Sequence, residues 1–481
     1  MLSLDQYSIH AQLPEELELL SLTRLELLKI SSCKGLFSLP EDFGCLTALK
    51  TLVLEHLPLA DLPQSVCRLS SLETLFLIHC PEIRELPVGF CCLTAVKTLW
   101  LVELPHIMLP ACIGGFKQLQ TFYLNDNQTQ LLLPSSFTQL SSLSRLELNS
   151  CSLLQLPEDI QKLSSLRELF IISCQIEELP DSLTGISGLE ILAVNCCARL
   201  RAVPSGLDAF SRLEVLKFEE CENLTELPEF LPQSLEELNL GNSKNVTPLP
   251  NVTVLPKLRT LNLKLVEVAW AVTASKGLSR LEHLYLESCN ARKLPFPLVY
   301  LSQLRTLTIG SSWRVKALPN FGPSMVQLRQ LRIHDVNELK ELPANIVELP
   351  RLTILEVHAA KLVSLPENLG ALSRLQELNL SKCSALEHLP ASVTQLAFLC
   401  RLDVEDSLIR SLPPGFERLV RLHSLNLKGC KQLESLPENF TQLNMLRDLY
   451  VEGCSKLLDA EGFVRPRGVD GMIGLKIFNM R

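Results

Sequence analysis

The sequence predicts an α/β fold: a curved solenoid of about 19 stacked units of 22–24 residues, with a parallel concave sheet and short helical or 3-10 convex segments. Three observations predict it. Leu69 to Pro87 (LSSLETLFLIHCPEIRELP) and Leu372 to Pro390 (LSRLQELNLSKCSALEHLP) share one template, LxxLxxLxLxxCxxLxxLP. With its third apolar position as an anchor, copies recur from Leu28, Leu52 and Leu75 to Leu402, Leu425 and Leu449, Phe122 being the one anchor that is not leucine. Finally, 47% of the 481 residues are hydrophobic but only 5% aromatic, so the apolar content is aliphatic and suited to a uniform stack.

Each element follows from the template. The LxL core alternates apolar and other residues, the period of a strand with one buried face. The Leu-Pro pair stops the strand, because proline fixes φ and suits the start of a helical turn. The residues after it, such as EDFGCLTAL after Pro40, carry apolar side chains at helical or 3-10 spacing. No unit can bury its leucines alone, so neighbours stack and their strands form a parallel sheet at about 4.8 Å spacing.

One slot of the template holds ten cysteines: Cys33, Cys80, Cys151, Cys174, Cys197, Cys221, Cys289, Cys383, Cys430 and Cys454. Repetition at one position argues for a buried thiol ladder, each cysteine a small residue with a weak donor pairing with backbone of the next coil. A ladder runs in a line and does not converge tetrahedrally, which argues against zinc. The pairs Cys91-Cys92 and Cys196-Cys197 form no CxxC motif.

Residues 1–21 read as a degenerate first repeat or amino-terminal cap, with a strand half at Leu2 to Gln6 and a tail at Leu13-Pro14. Residues 22–460 are the solenoid, and 461–481 a cap or tail in which Ile473, Leu475 and Ile477 alternate as in a closing strand. The pattern is tightest between Leu216 and Leu238, and after Leu261 Val272-Thr273 replaces Leu-Pro.

Several function classes are excluded or disfavoured. A net charge of −8 with scattered basic residues does not suit a phosphate backbone, so no nucleic-acid partner is expected. No apolar run reaches the roughly 18 residues of a membrane helix, and no secretory leader is visible. With 17 cysteines and no leader, a reducing compartment without disulfides is the expectation. No phosphate-binding Gly-x-x-x-x-Gly-Lys-Ser/Thr loop occurs, Gly114-Gly115 with Lys117 being the nearest approach. No nucleophile-base constellation falls on one side of one coil, and a shallow open sheet excludes little water, so no enzyme is expected.

The unit resembles the leucine-rich repeat of the plant cytoplasmic type. Its C-x-x-L-x-x-L-P ending is similar to the repeats of plant nucleotide-binding disease-resistance receptors, and its 23-residue period to Shoc-2-like and plant intracellular Ras-group repeat proteins. The first resemblance implies a non-enzymatic protein-recognition module in plant innate immunity, cytoplasmic or nuclear, following an upstream nucleotide-binding domain that this chain does not contain. The second implies a stand-alone signalling scaffold for a small GTPase or a phosphatase.

The residues between the strand leucines should face the concave surface. The column just after each anchor holds Phe76, Trp100, Tyr123 and Phe170 in four of five successive units, with Tyr285 further on. Ile78, Val102 and Ile172 flank them, and His56, His79, Glu103, Asn125, Asp126 and Glu147 form a polar rim. Exposed aromatics rimmed by polar groups mark a site for a protein partner. A second, polar surface comprises Arg332, His334, Glu356, His358, Arg401, Asp403, Glu405 and Asp406. His334 and His358 share a column with Asp335 and Glu356 nearby, but a solvated recognition surface is the reading preferred to a metal site, and no cofactor is expected.

Overall fold

The computed structural model describes residues 1–5, 22–264, 278–287, 301–310, 316–318, 320–321, 324–437, 439–457 and 476–478. Leu13-Pro14, Val272-Thr273, Cys289, Ile473 and Leu475 fall outside them. The chain divides into two compact units, Met1–Val246 and Thr247–Arg481.

The first unit contains β1 (Leu2–Asp5) through β11 (Glu237–Asn239), each strand parallel to the next in sequence. The second contains β12 (Thr260–Asn262) through β21 (Lys476–Phe478), paired in the same way. Anchor sits opposite anchor throughout: Leu28 against Leu52, Phe122 against Leu146, Leu331 against Leu355. Even the short interval keeps this register, with Leu216 opposite Leu238. Within each unit the fold is the expected open leucine-rich-repeat solenoid.

The core lies between the sheet and the returns. β3 (Thr51–Glu55) and β4 (Thr74–Ile78) alternate half-buried and buried side chains, as a strand with one dry face must. All helical returns among the described residues are 3-10. Pro40, Pro63, Pro134, Pro180, Pro343 and Pro390 each stand just before one, as the cap rather than within the first turn. Phe43, Phe90, Phe116, Phe137, Phe416 and Phe440 on the returns are fully buried, and Phe90 meets Phe116 edge-on at 5.6 Å. Gly114 lies on such a return, where a Cβ would stand 2.2 Å from the Ser136 carbonyl oxygen, so that glycine serves close packing of coils, not phosphate.

The cysteine slot is buried at all nine described positions. The thiols donate to the preceding coil, not to the next one: Cys221 Sγ to Val194 O at 3.1 Å, Cys383 Sγ to Val357 O at 3.1 Å, Cys454 Sγ to Leu427 O at 2.9 Å. Ser243 occupies the same slot and donates to Phe218 O at 2.5 Å. Asn127 fills it in another coil, fully buried, its amide reaching Ile107 O at 2.8 Å. Leu104 and Val336 fill the slot in two other coils, also fully buried, so burial is its common requirement and the donor an addition that cysteine, serine and asparagine supply.

One cysteine expectation is overturned. Cys91 and Cys112, on adjacent convex returns with Cα atoms 6.0 Å apart, are joined by a disulfide. Stacking brings residues about one repeat apart into contact, so a bridge between coils needs no CxxC motif. The bridge removes the cysteine argument for a reducing compartment.

A further regularity lies four residues past the anchor. Ser32, His56, His79, Glu103, Asp126, Ser150, Ser173, Cys196, Glu220, Asn242, Asp335, Lys382 and Asp406 all have left-handed backbone there, φ between 50° and 64°, and Gly429 and Gly453 share the position. The conformation costs a non-glycine residue about 1–2 kcal/mol. It persists because the amide is tied to the next coil, as in His79 N to Val102 O at 2.8 Å and Lys382 N to Glu405 O at 2.8 Å.

Candidate functional site

The aromatic column of the first unit lies on β4, β5 (Thr98–Val102) and β6 (Thr121–Leu131). Strict register places Phe76, Trp100 and Tyr123 side by side. Their rings touch in series: Phe76 to Trp100 at 4.9 Å and 52°, Trp100 to Tyr123 at 5.2 Å and 47°. These tilted contacts suit the quadrupoles of aromatic rings. Phe76 and Tyr123 are half-buried, while Trp100 is 38% exposed and forms the crest. Ile78 and Val102 lie opposite each other two residues on, both half-buried, and extend the apolar strip.

Phe170, on β8 (Glu168–Ile172), is separated from this triad. Glu147, on β7 (Arg145–Leu153), lies between Tyr123 and Phe170. The Arg145 guanidinium covers the Phe170 ring at 4.5 Å and binds Glu147 at 2.8 Å and Glu168. The structure thus brings together three of the aromatics and places the fourth beneath a charged lid. Ile172 lies beyond it, between Asn149 and Asn195 in register. Tyr285 belongs to the second unit, on β13 (His283–Glu287) between Asn262 and Thr308.

The rim is partly paired. His56 and His79 rings lie 4.7 Å apart, and His79 Nδ1 meets Glu103 Oε2. β6 and β7 run longer than their neighbours and stay paired to Leu131 and Leu153 across a bulge. The extended NDNQTQ sequence was the available signal, and sequence reasoning missed it. It also missed a groove of about 590 Å³ lined by Gln120, Ser142, Ser144, Ser165, Arg167 and Arg212, which the repeated LSSL tetrapeptides foreshadow.

The polar surface of the second unit is a connected network. On β15 (Gln330–His334) and β16 (Ile354–Val357), Arg332 Nε lies 3.3 Å from Glu356 Oε2, and His334 Nδ1 is 3.3 Å from Nδ1 of His358, the residue just after β16. His358 Nε2 is 3.3 Å from Glu356 Oε1 and 2.9 Å from Ser381 Oγ. Burial chiefly pushes the His358 pKa below its ordinary value; Glu356 opposes the shift and His334 adds to it.

The acidic members behave differently. Asp403 Oδ1 accepts from the Glu405 amide at 2.9 Å, and its Oδ2 accepts from Asn426 Nδ2 at 2.9 Å. Asn239, Asn262, Asn379 and Asn426 make the same bond to the amide two residues on. Such side chains compete with the ladder, and the strands bearing them span only three residues. Asp403 is therefore largely committed to the backbone. Glu405 lies within ion-pair reach of Lys428 at 3.7 Å, Asp406 sits at the left-handed position, and Arg401 reaches Glu377 at 3.7 Å.

A register-locked parallel sheet, buried leucine anchors and 3-10 returns define a leucine-rich-repeat fold. The family described as "Leucine-rich repeat region" matches residues 90–269. A leucine-rich-repeat protein of Leptospira interrogans is similar in fold, with a TM-score of 0.53 and 22% identity over 98% of this chain and 100% of that one. A TDR receptor is similar at a TM-score of 0.51 and 18% identity, over 94% and 84% of the two chains. No curated protein matches. At these identities the likeness concerns the fold. Among the described residues no helix is long and apolar enough to cross a membrane.

Proposed function

We propose that this chain is a non-enzymatic protein-recognition module whose partner docks on the Phe76–Trp100–Tyr123 strip. The observation that carries the reading is the exposed crest of Trp100, held between two rings on a sheet that needs no ordering to bind. Large aromatics on a rigid platform are the residues that most often anchor interfaces. The C-x-x-L-x-x-L-P repeat ending supports a defence-receptor role, in which the strip senses a ligand or holds an adjoining domain inactive. The 23-residue period supports the alternative, a scaffold for a small GTPase or phosphatase.

The test compares wild-type protein with a Trp100→Ser/Tyr123→Ser variant as bait in extract of the source organism. Quantitative mass spectrometry should show one or a few proteins depleted at least tenfold on the variant. A Val420→Ser control, at a 57% exposed side chain of the second unit, should capture as wild type does. Identical capture by all three baits would remove the strip from the function. A receptor-type partner and a GTPase or phosphatase partner separate the two readings.

A further inference from the structure

We propose that His334, Glu356 and His358 of the second unit form a binding site for a divalent transition-metal ion of the zinc class.

The donor set comes first. Two imidazoles and one carboxylate suit zinc and its neighbours, and suit magnesium or calcium poorly, because those ions prefer oxygen alone. The spacing agrees. Metal–nitrogen bonds of about 2.0–2.1 Å in a tetrahedral site place two ligand atoms roughly 3.3–3.4 Å apart. His334 Nδ1 and His358 Nδ1 are 3.3 Å apart. One ligand atom from each of the three residues falls within 4.8 Å of the others.

The surrounding groups orient these atoms. His358 Nε2 lies 2.9 Å from Ser381 Oγ, and a proton on Nε2 donated to that hydroxyl leaves the Nδ1 lone pair facing His334. Arg332 occupies Glu356 Oε2 at 3.3 Å, which leaves Oε1 toward the imidazoles, 3.9 Å from His334 Nδ1 and 3.3 Å from His358 Nε2. Asn379 Nδ2 also approaches Oε1, at 3.3 Å, and fixes it from the next coil. Without an ion, one Nδ1–H bonds the other Nδ1. With an ion, that proton moves to His334 Nε2, so both Nδ1 atoms ligate and no net proton is lost.

The fold explains the convergence. His334 and His358 both stand three residues after an anchor on consecutive coils, and Glu356 stands one residue after the same anchor as His358. The stack therefore brings together residues that lie 22–24 apart in sequence. Accessibility is intermediate: the side chains of His334, Glu356 and His358 are 26%, 20% and 17% exposed. That is enclosed enough to be pre-formed and open enough to admit an ion with water, or a partner's side chain, as the remaining ligand. Arg332 and Lys382 place positive charge nearby, so the ion is held exchangeably and not as a folding clamp.

The test uses the whole chain with its Cys91–Cys112 bridge intact, kept under argon and titrated with Co2+. The expected result is a visible d–d spectrum saturating at one equivalent, without thiolate charge-transfer absorption, and bleached by Zn2+. His334→Gln should weaken Co2+ binding at least tenfold and leave the metal-free circular dichroism and melting curve unchanged. A second measurement needs no variant: Zn2+ should protect His334 and His358, and not exposed His388, from diethyl pyrocarbonate. No saturable spectrum, a thiolate-dominated spectrum, unchanged affinity in the variant, or no protection in the wild-type protein would each overturn the assignment.

Discussion

Replacing Trp100 by alanine separates packing from docking, because the structure assigns part of the side chain to each. Trp100 is 38% exposed, so about three-fifths of it is covered. A buried aromatic hides roughly 150–250 Å², so the covered part of a tryptophan is about 140 Å², or about 3.5 kcal/mol at about 25 cal/mol per Å². Alanine keeps the Cβ, and the unfolded chain already hides some area, which lowers the figure. The two tilted ring contacts restore about 0.5–1.5 kcal/mol each. The expected loss of stability is therefore about 2–4 kcal/mol, read from the urea midpoint of the first unit and from faster hydrogen exchange on β4 to β6. The exposed part, about 90 Å², is what a partner can cover, and its loss costs about 2 kcal/mol or roughly 30-fold in affinity. Trp100→Phe should keep most of the stability and lose an intermediate share of the binding. Lost stability with unchanged capture would show the stack to be packing alone. Unchanged stability would refute the stack itself.

Three further outcomes are expected. Leu169→Asp puts a charge at a fully buried anchor and should cost several kcal/mol, seen as fast hydrogen exchange across β7, β8 and the strand after them, while the second unit stays protected. Iodoacetamide at pH 8 should label exposed Cys92 and Cys196 in the folded protein and spare Cys80, Cys221 and Cys383, which are buried and whose pKa values burial pushes up to about 11, 12 and 11; equal labelling would refute the ladder. Ser150→Gly should leave stability within about 1 kcal/mol of wild type, and Ser150→Val should lower it by about 1–3 kcal/mol, because a β-branched residue resists positive φ; equal melting points would refute the left-handed assignment.

Much of the fold was legible because one physical requirement repeats. A leucine that must be buried every 22–24 residues sets the register, so every described anchor could be placed from sequence. The aromatic triad was legible for the same reason, since the residue after an anchor inherits its register. That Phe170 stands apart from the triad was not legible, because its lid, Arg145, comes from the neighbouring coil, and periodicity does not say which long side chain folds over which ring. The local bonding of Asp403 was hidden for another reason: it accepts from a backbone amide two residues away, and in sequence such a carboxylate looks the same as a free one. The bridge between Cys91 and Cys112 escaped because its partners occupy different template slots.

The left-handed position limits how such a surface can change. Among the described residues it holds serine, histidine, glutamate, aspartate, asparagine, cysteine, lysine or glycine, and never valine, isoleucine or threonine. A set of variants that explores new partners therefore works with two alphabets. In the columns one and three residues past the anchor, almost any side chain is compatible with the strand, and rings, charges and imidazoles already alternate there. In the column beside them the choice narrows to unbranched residues, because the bend that returns the chain to its next coil lies there. Retargeting this protein is then a matter of rewriting the permissive columns and leaving the restricted one untouched, so that a new specificity need not be a new fold.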